Sequence, residues 1–203
     1  KELKRDMEVA LLSNVAKAAG NATTARKLGG CQTWFETNVD AGVSGSGAGN
    51  GAIRTDGTQR AFTEAQLKSV LVSCYNEGGN PNMIMVNAFN KQKLSGFTGG
   101  STRFDAAEDR RLITSIDVYE SDFGTMQVAP NRFIRGANGT AAKIGQDAHI
   151  LDMEYWAVSF LRDFSLQTPA QTADADQRFM VAEYTLESRN EKASGLITDL
   201  TTS

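Results

Sequence analysis

The residues best suited to chemistry in this 203-residue chain are its acids and its single histidine. Asp117, Glu120 and Asp122 crowd the run Val118-Tyr119-Glu120-Ser121-Asp122-Phe123-Gly124. Paired carboxyls do acid/base work when their surroundings push their pKa values apart, and hydrolysis is the reaction class they would serve. Further acids gather at Asp105, Glu108 and Asp109 and at Asp174 and Asp176, but no set has the spacing of an EF-hand loop. Arg103, Arg110, Arg111 and Arg178 stand beside them, so solvated or interfacial ion pairs are the commoner outcome. His149, with Asp147 and Asp152 nearby, offers a base for a Ser or Cys nucleophile. No GxSxG elbow accompanies it, and a surface or capped histidine is the expectation.

Other motifs lose their companions in the same way. Asp122-Phe123-Gly124 matches the metal-binding triplet of protein kinases, yet no VAIK-type strand follows a glycine-rich loop, and Ile150 rather than Arg-Asp follows His149. Acids and glycine are also what a hairpin turn uses, with Gly124 placed for a positive φ. The segment from Gly42 to Gly51 lacks the GxxxxGK[ST] spacing of a phosphate cradle, and its composition predicts a mobile loop extending to Gly57. Cys31 and Cys74 lie far apart without a CxxC, which predicts two buried reduced thiols and neither metal nor cofactor. The sequons at Asn21 and Asn138 carry little weight in a cytosolic chain.

Net charge is −3 with both signs interspersed, so the electrostatic footprint of a protein that wraps nucleic acid is missing. No stretch approaches the ~18 consecutive apolar residues of a membrane span, and a soluble, cytosolic product is expected. Lys1 already lies inside a helical pattern, as it would if a preceding segment had been removed.

The elements that must position these residues are legible in outline. Leu3, Met7, Ala10, Leu11, Val15 and Ala18 form a stripe that predicts one amphipathic helix over residues 2–19, ended by Gly20. Val9 and Leu12 fall off that stripe and form a second apolar face, a possible subunit contact. Thr63-Glu64-Ala65-Gln66 has capping-box form ahead of Leu67, Val70, Leu71 and Cys74, and this helix stops at Gly78-Gly79. Met83 to Val86 reads as a short buried strand and Asn87 to Ser95 as a short helix. Alternation over Leu112–Tyr119, a turn at Ser121–Gly124 and the returning Met126 and Val128 predict a hairpin. Gln167 to Gln177 is loop-like, and Phe179 to Arg189 reads as a strand. Segregated helices and antiparallel strands give α+β.

With no site chemistry surviving, the order of weaker features along the chain carries the reading. Glu2-Leu3-Lys4-Arg5-Asp6-Met7-Glu8 with Ala10-Leu11-Leu12 comes first, then Thr24-Ala25-Arg26, Gly29-Gly30, Trp34 and Asn38. Gly78-Gly79-Asn80-Pro81, Val86-Asn87 and Lys91 follow. Val118-Tyr119, Asp122-Phe123-Gly124, Asn131-Arg132, Glu183-Tyr184-Thr185-Leu186 and Arg189-Asn190-Glu191-Lys192 complete the series. Taken together, the chain resembles tailed-bacteriophage major capsid proteins of the SU-ten-like group.

That resemblance implies the Hong Kong 97-type capsid fold, a peripheral domain with a spine helix and long β-sheet beside an axial domain. It places approximately 1–40 and 105–135 in the peripheral domain and the remainder largely in the axial one. It implies copies that assemble as pentamers and hexamers into an icosahedral shell around the phage DNA, in a virion put together in the host cytoplasm, with portal and accessory head proteins as partners. The resemblance also sets an N-terminal arm and an extended loop before the spine helix, ahead of where this sequence begins. Assembly of this chain alone is therefore expected to be weakened, and no cross-linking residue is carried over. The alternatives are a hydrolase using the acids at Asp117, Glu120 and Asp122, and a cargo-enclosing nanocompartment of the same fold.

Overall fold

A computed structural model describes residues 2–97, 117–134, 144–170 and 177–202. The strand alternation from Leu112 to Ile116, the acids Asp105, Glu108, Asp109, Asp174 and Asp176, and Asn138 lie outside the described residues.

The first helix, α1, spans Glu2–Leu12 and is shorter than its apolar spacing predicts. Local polar groups end it. Ser13 turns its hydroxyl back to the Ala10 carbonyl at 2.8 Å, and the side chain of buried Asn14 accepts the distant backbone N–H of Arg54. Such bonds compete with helix continuation. The chain then runs as an irregular ribbon in which Val15 accepts from Gly30, and Ala18 pairs with Lys27 around Gly20, whose φ is +76°. Val15 and Ala18 thus extend a helical spacing that the backbone abandons.

The second helix, α2 at Glu64–Asn76, begins where its capping box predicts, with Thr63 and Gln66 exchanging both side-chain bonds. Gly78 at φ +83° ends it. The third, α3 at Ala88–Ser95, is capped by Asn87.

Six strands make one sheet: β1 (Val39–Asp40), β2 (Met83–Val86), β3 (Val118–Ser121), β4 (Gly124–Pro130), β5 (Ala148–Leu151) and β8 (Gly195–Ile197). Their order is β1-β8-β5-β2-β4-β3, with β1 parallel to β8, β2 parallel to β4 and the other neighbours antiparallel. On one face Ile84, Val86, Met126, Val128, Ala148, Ile150 and Ile197 pack with Leu67, Val70, Leu71 and Cys74 of α2 and with Leu94 of α3. Leu151 and Leu196 belong to a second, smaller cluster with Cys31 and Phe35. Both cysteines are buried and free.

Among the described residues the other strands, β6 (Trp156–Gln167) and β7 (Phe179–Ser188), pair only with each other, as a long antiparallel ribbon. Its base is fixed to the body. Trp156 packs against Phe35 with ring centroids 5.5 Å apart and donates its indole N–H to Ser194 at 3.0 Å, while the Arg189 N–H reaches the Tyr155 carbonyl.

The glycine-rich segment is ordered by hydrogen bonds, contrary to its composition. Ser46 and Thr55 bridge each other, Gly49 and Gly51 donate to the Phe35 and Thr33 carbonyls, and Gly42 donates to Asp199. A Cβ on Gly42 would lie 2.1 Å from the Thr58 carbonyl oxygen. At this position glycine permits close backbone approach, which a count of residue types does not distinguish from flexibility.

Candidate functional site: a buried arginine centre and an open apolar ribbon

Asp117, Glu120 and Asp122, the candidate acids among the described residues, do not converge on a sheltered site. Asp117 is 82% exposed and pairs with Lys91 at 3.2 Å. Glu120 lies on the exposed face of β3, opposite Thr125, while its neighbour Tyr119 points into the core. Asp122 and Phe123 form the two-residue turn, closed by Ser121 and Gly124, whose φ is +142°. This is the hairpin the sequence predicts, and Phe123 stacks on Tyr75 of α2 at 4.8 Å. Paired-carboxyl catalysis requires one carboxyl in a desolvating environment, and Glu120 and Asp122 stand in water.

His149 is not on the surface. It is fully buried on β5, and apart from Asp147 the groups of the centre beside it were invisible to motif reading because they come from distant parts of the chain. At the centre lies Arg54, whose side chain is wholly buried. Its guanidinium meets Asp147 at 3.0 Å and Asp199 at 3.2 Å, both buried, and Asp56 at 3.1 Å on the outer side. Gln32 accepts from Arg54 Nε, donates to Asp147 Oδ2 at 2.6 Å and lies 3.4 Å from His149 Nε2. Asp152, the other acid near His149 in sequence, goes elsewhere: it caps the turn at Met153–Tyr155 and accepts the Asn80 N–H.

One cation thus faces two buried carboxylates, and their surroundings separate them. Burial raises the Asp199 pKa, but the backbone N–H groups of Gly57 and Gly42 and the charge of Arg54 outweigh it and hold it below the ordinary carboxylate value. Burial pushes Asp147 up to about 7, against the pull of Arg54 and Gln32. Burial and the positive charge of Arg54 push His149 down to about 4. Arg54 itself stays charged, since the three aspartates overcome its burial. The arrangement ties the segment before α2 to β5 and to the end of β8. With Arg54, Asp147, Asp199, Gln32 and His149 all buried, it is a structural junction.

The surface that calls for a partner is the β6–β7 ribbon. Val158, Phe160, Leu161, Leu166, Phe179 and Met180 are all exposed on it. Leu166 and Met180 are direct cross-strand partners, so their 60% and 54% exposures form one continuous patch toward the open end. Register shifts between Phe160 and Arg162 and between Arg162 and Ser165 insert extra residues into β6. A bulge re-aims side chains, and here it leaves Leu161 73% exposed beside exposed Phe160. Polar pairs flank the patch: Arg162 with Glu183, and Glu187 with Ser159 and Arg189. The first helix reaches this ribbon, with Lys4 Nζ 5.9 Å from the Phe164 ring centroid.

The second apolar face expected on α1 is only half present: Val9 is 43% exposed, but Leu12 is buried at 7%. Leu12 falls where the chain turns out of the helix, so its side chain serves this subunit's own interior. Among the described residues no group of three or more His, Cys, Asp or Glu side chains could hold a metal ion, and no helix is long and apolar enough to cross a membrane.

No curated protein matches the chain. The family model described as SU10 major capsid protein matches residues 1–201, nearly its whole length. The sheet, helices and open ribbon are thus those of a phage shell subunit, and the chain belongs to the SU10 major capsid protein family.

Proposed function

We propose that this structural capsid protein assembles with copies of itself, as pentamers and hexamers, into an icosahedral shell that encloses the phage DNA. The observation that carries the reading is the β6–β7 ribbon, where Phe160, Leu161, Leu166, Phe179 and Met180 are exposed although they are the residue types normally withdrawn from water. Contiguous exposed apolar patches mark interaction sites, and family membership makes neighbouring subunits the fitting cover. Val9 is a secondary contact in this proposal. Leu12 would act only by supporting the helix from inside.

The Hong Kong 97-type fold supplies the proposed division into peripheral and axial parts. The described section of residues 105–135 hydrogen-bonds through β4 to β2 in the six-stranded sheet. In this proposal approximately 1–40 and 105–135 belong to the peripheral part and the remainder largely to the axial part, the two meeting where β4 pairs with β2. A net charge of −3 fits a shell that surrounds DNA without gripping it. Portal and accessory head proteins are the further partners proposed, with assembly in the host cytoplasm.

Electron microscopy and sedimentation of the full-length gene product test the proposal. Closed particles or capsomers are expected, and a strictly monomeric protein at high concentration would count decisively against it. Particles holding protein cargo in place of DNA would turn the reading toward a nanocompartment.

A further inference from the structure

Between Gly42 and Ala61 the chain contributes a single buried side chain, that of Arg54. Val43 and Ile53, its large apolar residues, are exposed, and Gly42, Gly49 and Gly51 are buried as bare backbone. What fixes this stretch to the body is otherwise polar: hydrogen bonds of Gly49 to Phe35, Gly51 to Thr33, Lys17 to Gly51, Gly42 to the Asp199 carboxylate and the Arg54 N–H to Asn14, and the ion pair of Arg60 with Asp40 at 2.7 Å. Its backbone also holds four left-handed residues, Ser44, Gly49, Asn50 and Gly51, of which two carry side chains that disfavour that conformation.

Internally the stretch is tied to itself. Ser46 and Thr55 exchange both backbone bonds, Gly45 returns to Gly42 and Thr58 to Val43. It therefore has its own cross-links, no apolar anchor, one fully buried ionic anchor reaching through to Asp147 and Asp199, and a half-buried ion pair of Arg60 with Asp40 at its C-terminal end. Regions with few buried apolar contacts open at lower free energy than the core. The neighbouring α2, by contrast, is held by Leu67, Val70, Leu71 and Cys74.

We propose that residues 42–61 form a strap that opens and closes as one unit while the six-stranded sheet stays folded, with Arg54 as the pin that holds it shut. Opening withdraws the guanidinium from Asp147 and Asp199 and admits water to the pocket shared by Gln32 and His149. Val43 and Ile53 move with the strap, so a change inside the subunit is carried to its outer surface. At the C-terminal end a second anchor is backbone: Arg60 N–H to the Asp199 carbonyl and Thr201 N–H to the Arg60 carbonyl mark where the moving part stops.

Native-state hydrogen exchange on the intact chain, read residue by residue in increasing sub-denaturing urea, tests this. The amides of Gly45, Ser46, Gly49, Gly51, Thr55 and Thr58 should exchange together, faster than those of Leu71 to Asn76 in α2, with a weaker urea dependence. Arg54→Gln should speed strap exchange by about a hundredfold or more. It should leave the ratio of β2 to α2 protection unchanged. Strap amides that exchange only with global unfolding, at the free energy and urea dependence of α2, would overturn the proposal. Should Arg54→Gln fail to fold, the wild-type profile alone decides.

Discussion

β5 and β8 are four and three residues long and bury every residue, whereas β6 and β7 run for twelve and ten, bury none fully and leave six large apolar side chains exposed. The short strands have neighbours on both edges and packing on both faces, down to a charged centre whose partners are all supplied from within the chain. Among the described residues the long pair has strand partners only in itself, and it meets the body at its base at Trp156 and at Phe164, over which Lys4 of α1 lies. A two-stranded ribbon is marginal alone in water, whatever its length. One region is therefore completed by folding, and the other by association. The difference predicts that substitutions in the first act on stability, and those in the second on assembly.

The largest effect on stability belongs to Arg54. Replacing it with glutamine leaves Asp147 and Asp199 buried without their cation, and removal of one member of a buried ion pair costs about 3–5 kcal/mol. Urea unfolding should show that loss as a lower midpoint. An Arg54→Gln protein of wild-type stability would show that the centre is idle, and the contrast between the regions would fail at its strongest point.

The second effect is a pH dependence. His149 has its folded pKa depressed to about 4 from 6.5, so its contribution to stability is present above about 6.5 and lost as pH falls through 4. Asp147 has its folded value raised to about 7 from 3.8, so its contribution is present below about 3.8 and lost as pH rises through 7. The two slopes oppose each other across the window they share. Asp147→Asn removes one and keeps an Arg54–Asp199 pair, so that variant should lose stability on acidification from 6.5 to 4, by on the order of 2–3 kcal/mol beyond wild type. His149→Gln should show the reverse, with stability falling between pH 4 and 7. Unfolding curves of the three proteins across that range check it, and parallel curves would mean the pair is not coupled to folding.

The third sharpens the reading of the glycine segment. Gly42→Ala puts a methyl 2.1 Å from the Thr58 carbonyl oxygen, which forces backbone movement and should cost about 1–3 kcal/mol in thermal or urea unfolding. Gly78→Ala meets nothing within 4 Å, though its φ of +83° makes it costly for a different reason. If Gly42→Ala is neutral, the segment is loose after all.

That segment also shows what the sequence conveys and what it does not. Thr63 and Gln66 announced α2 because both halves of a capping box lie within one turn, and α3 was legible as a short helix over Asn87 to Ser95. The hairpin at Ser121–Gly124 was legible for the same local reason. The end of α1 was not, since periodicity continues to Ala18 while the helix is stopped by Ser13 and by the contact of Asn14 with Arg54, forty residues away. Asp147 and Asp199 are separated by 93 and 145 positions from their common partner Arg54, and no spacing rule joins them. His149 looked like a surface residue because its burial is decided by β2 and β8 on either side. The ribbon was visible only as β-prone stretches, for whether a strand is covered is a property of the sheet around it.

The smallest effect on stability should come from the most exposed apolar residue of the ribbon. Leu161 stands 73% exposed at the first register shift of β6, where little of its side chain rests on its own subunit. Leu161→Ser should therefore change the unfolding free energy of the isolated chain by no more than about 0.5 kcal/mol. Under assembly conditions the same change should lower the yield of closed particles measured by sedimentation, because the side chain would then leave a partner subunit's contact. Phe179→Ser, near the open end, is expected to behave alike. Trp156→Ser, at the base, should not: its ring lies on Phe35 and its N–H on Ser194, so the loss would appear in the isolated chain. If Leu161→Ser instead destabilises the monomer and leaves particles unaffected, the ribbon belongs with the sheet as a region completed by folding, and the surface on which subunits meet must be sought elsewhere, with exposed Val9 on α1 the next place to substitute.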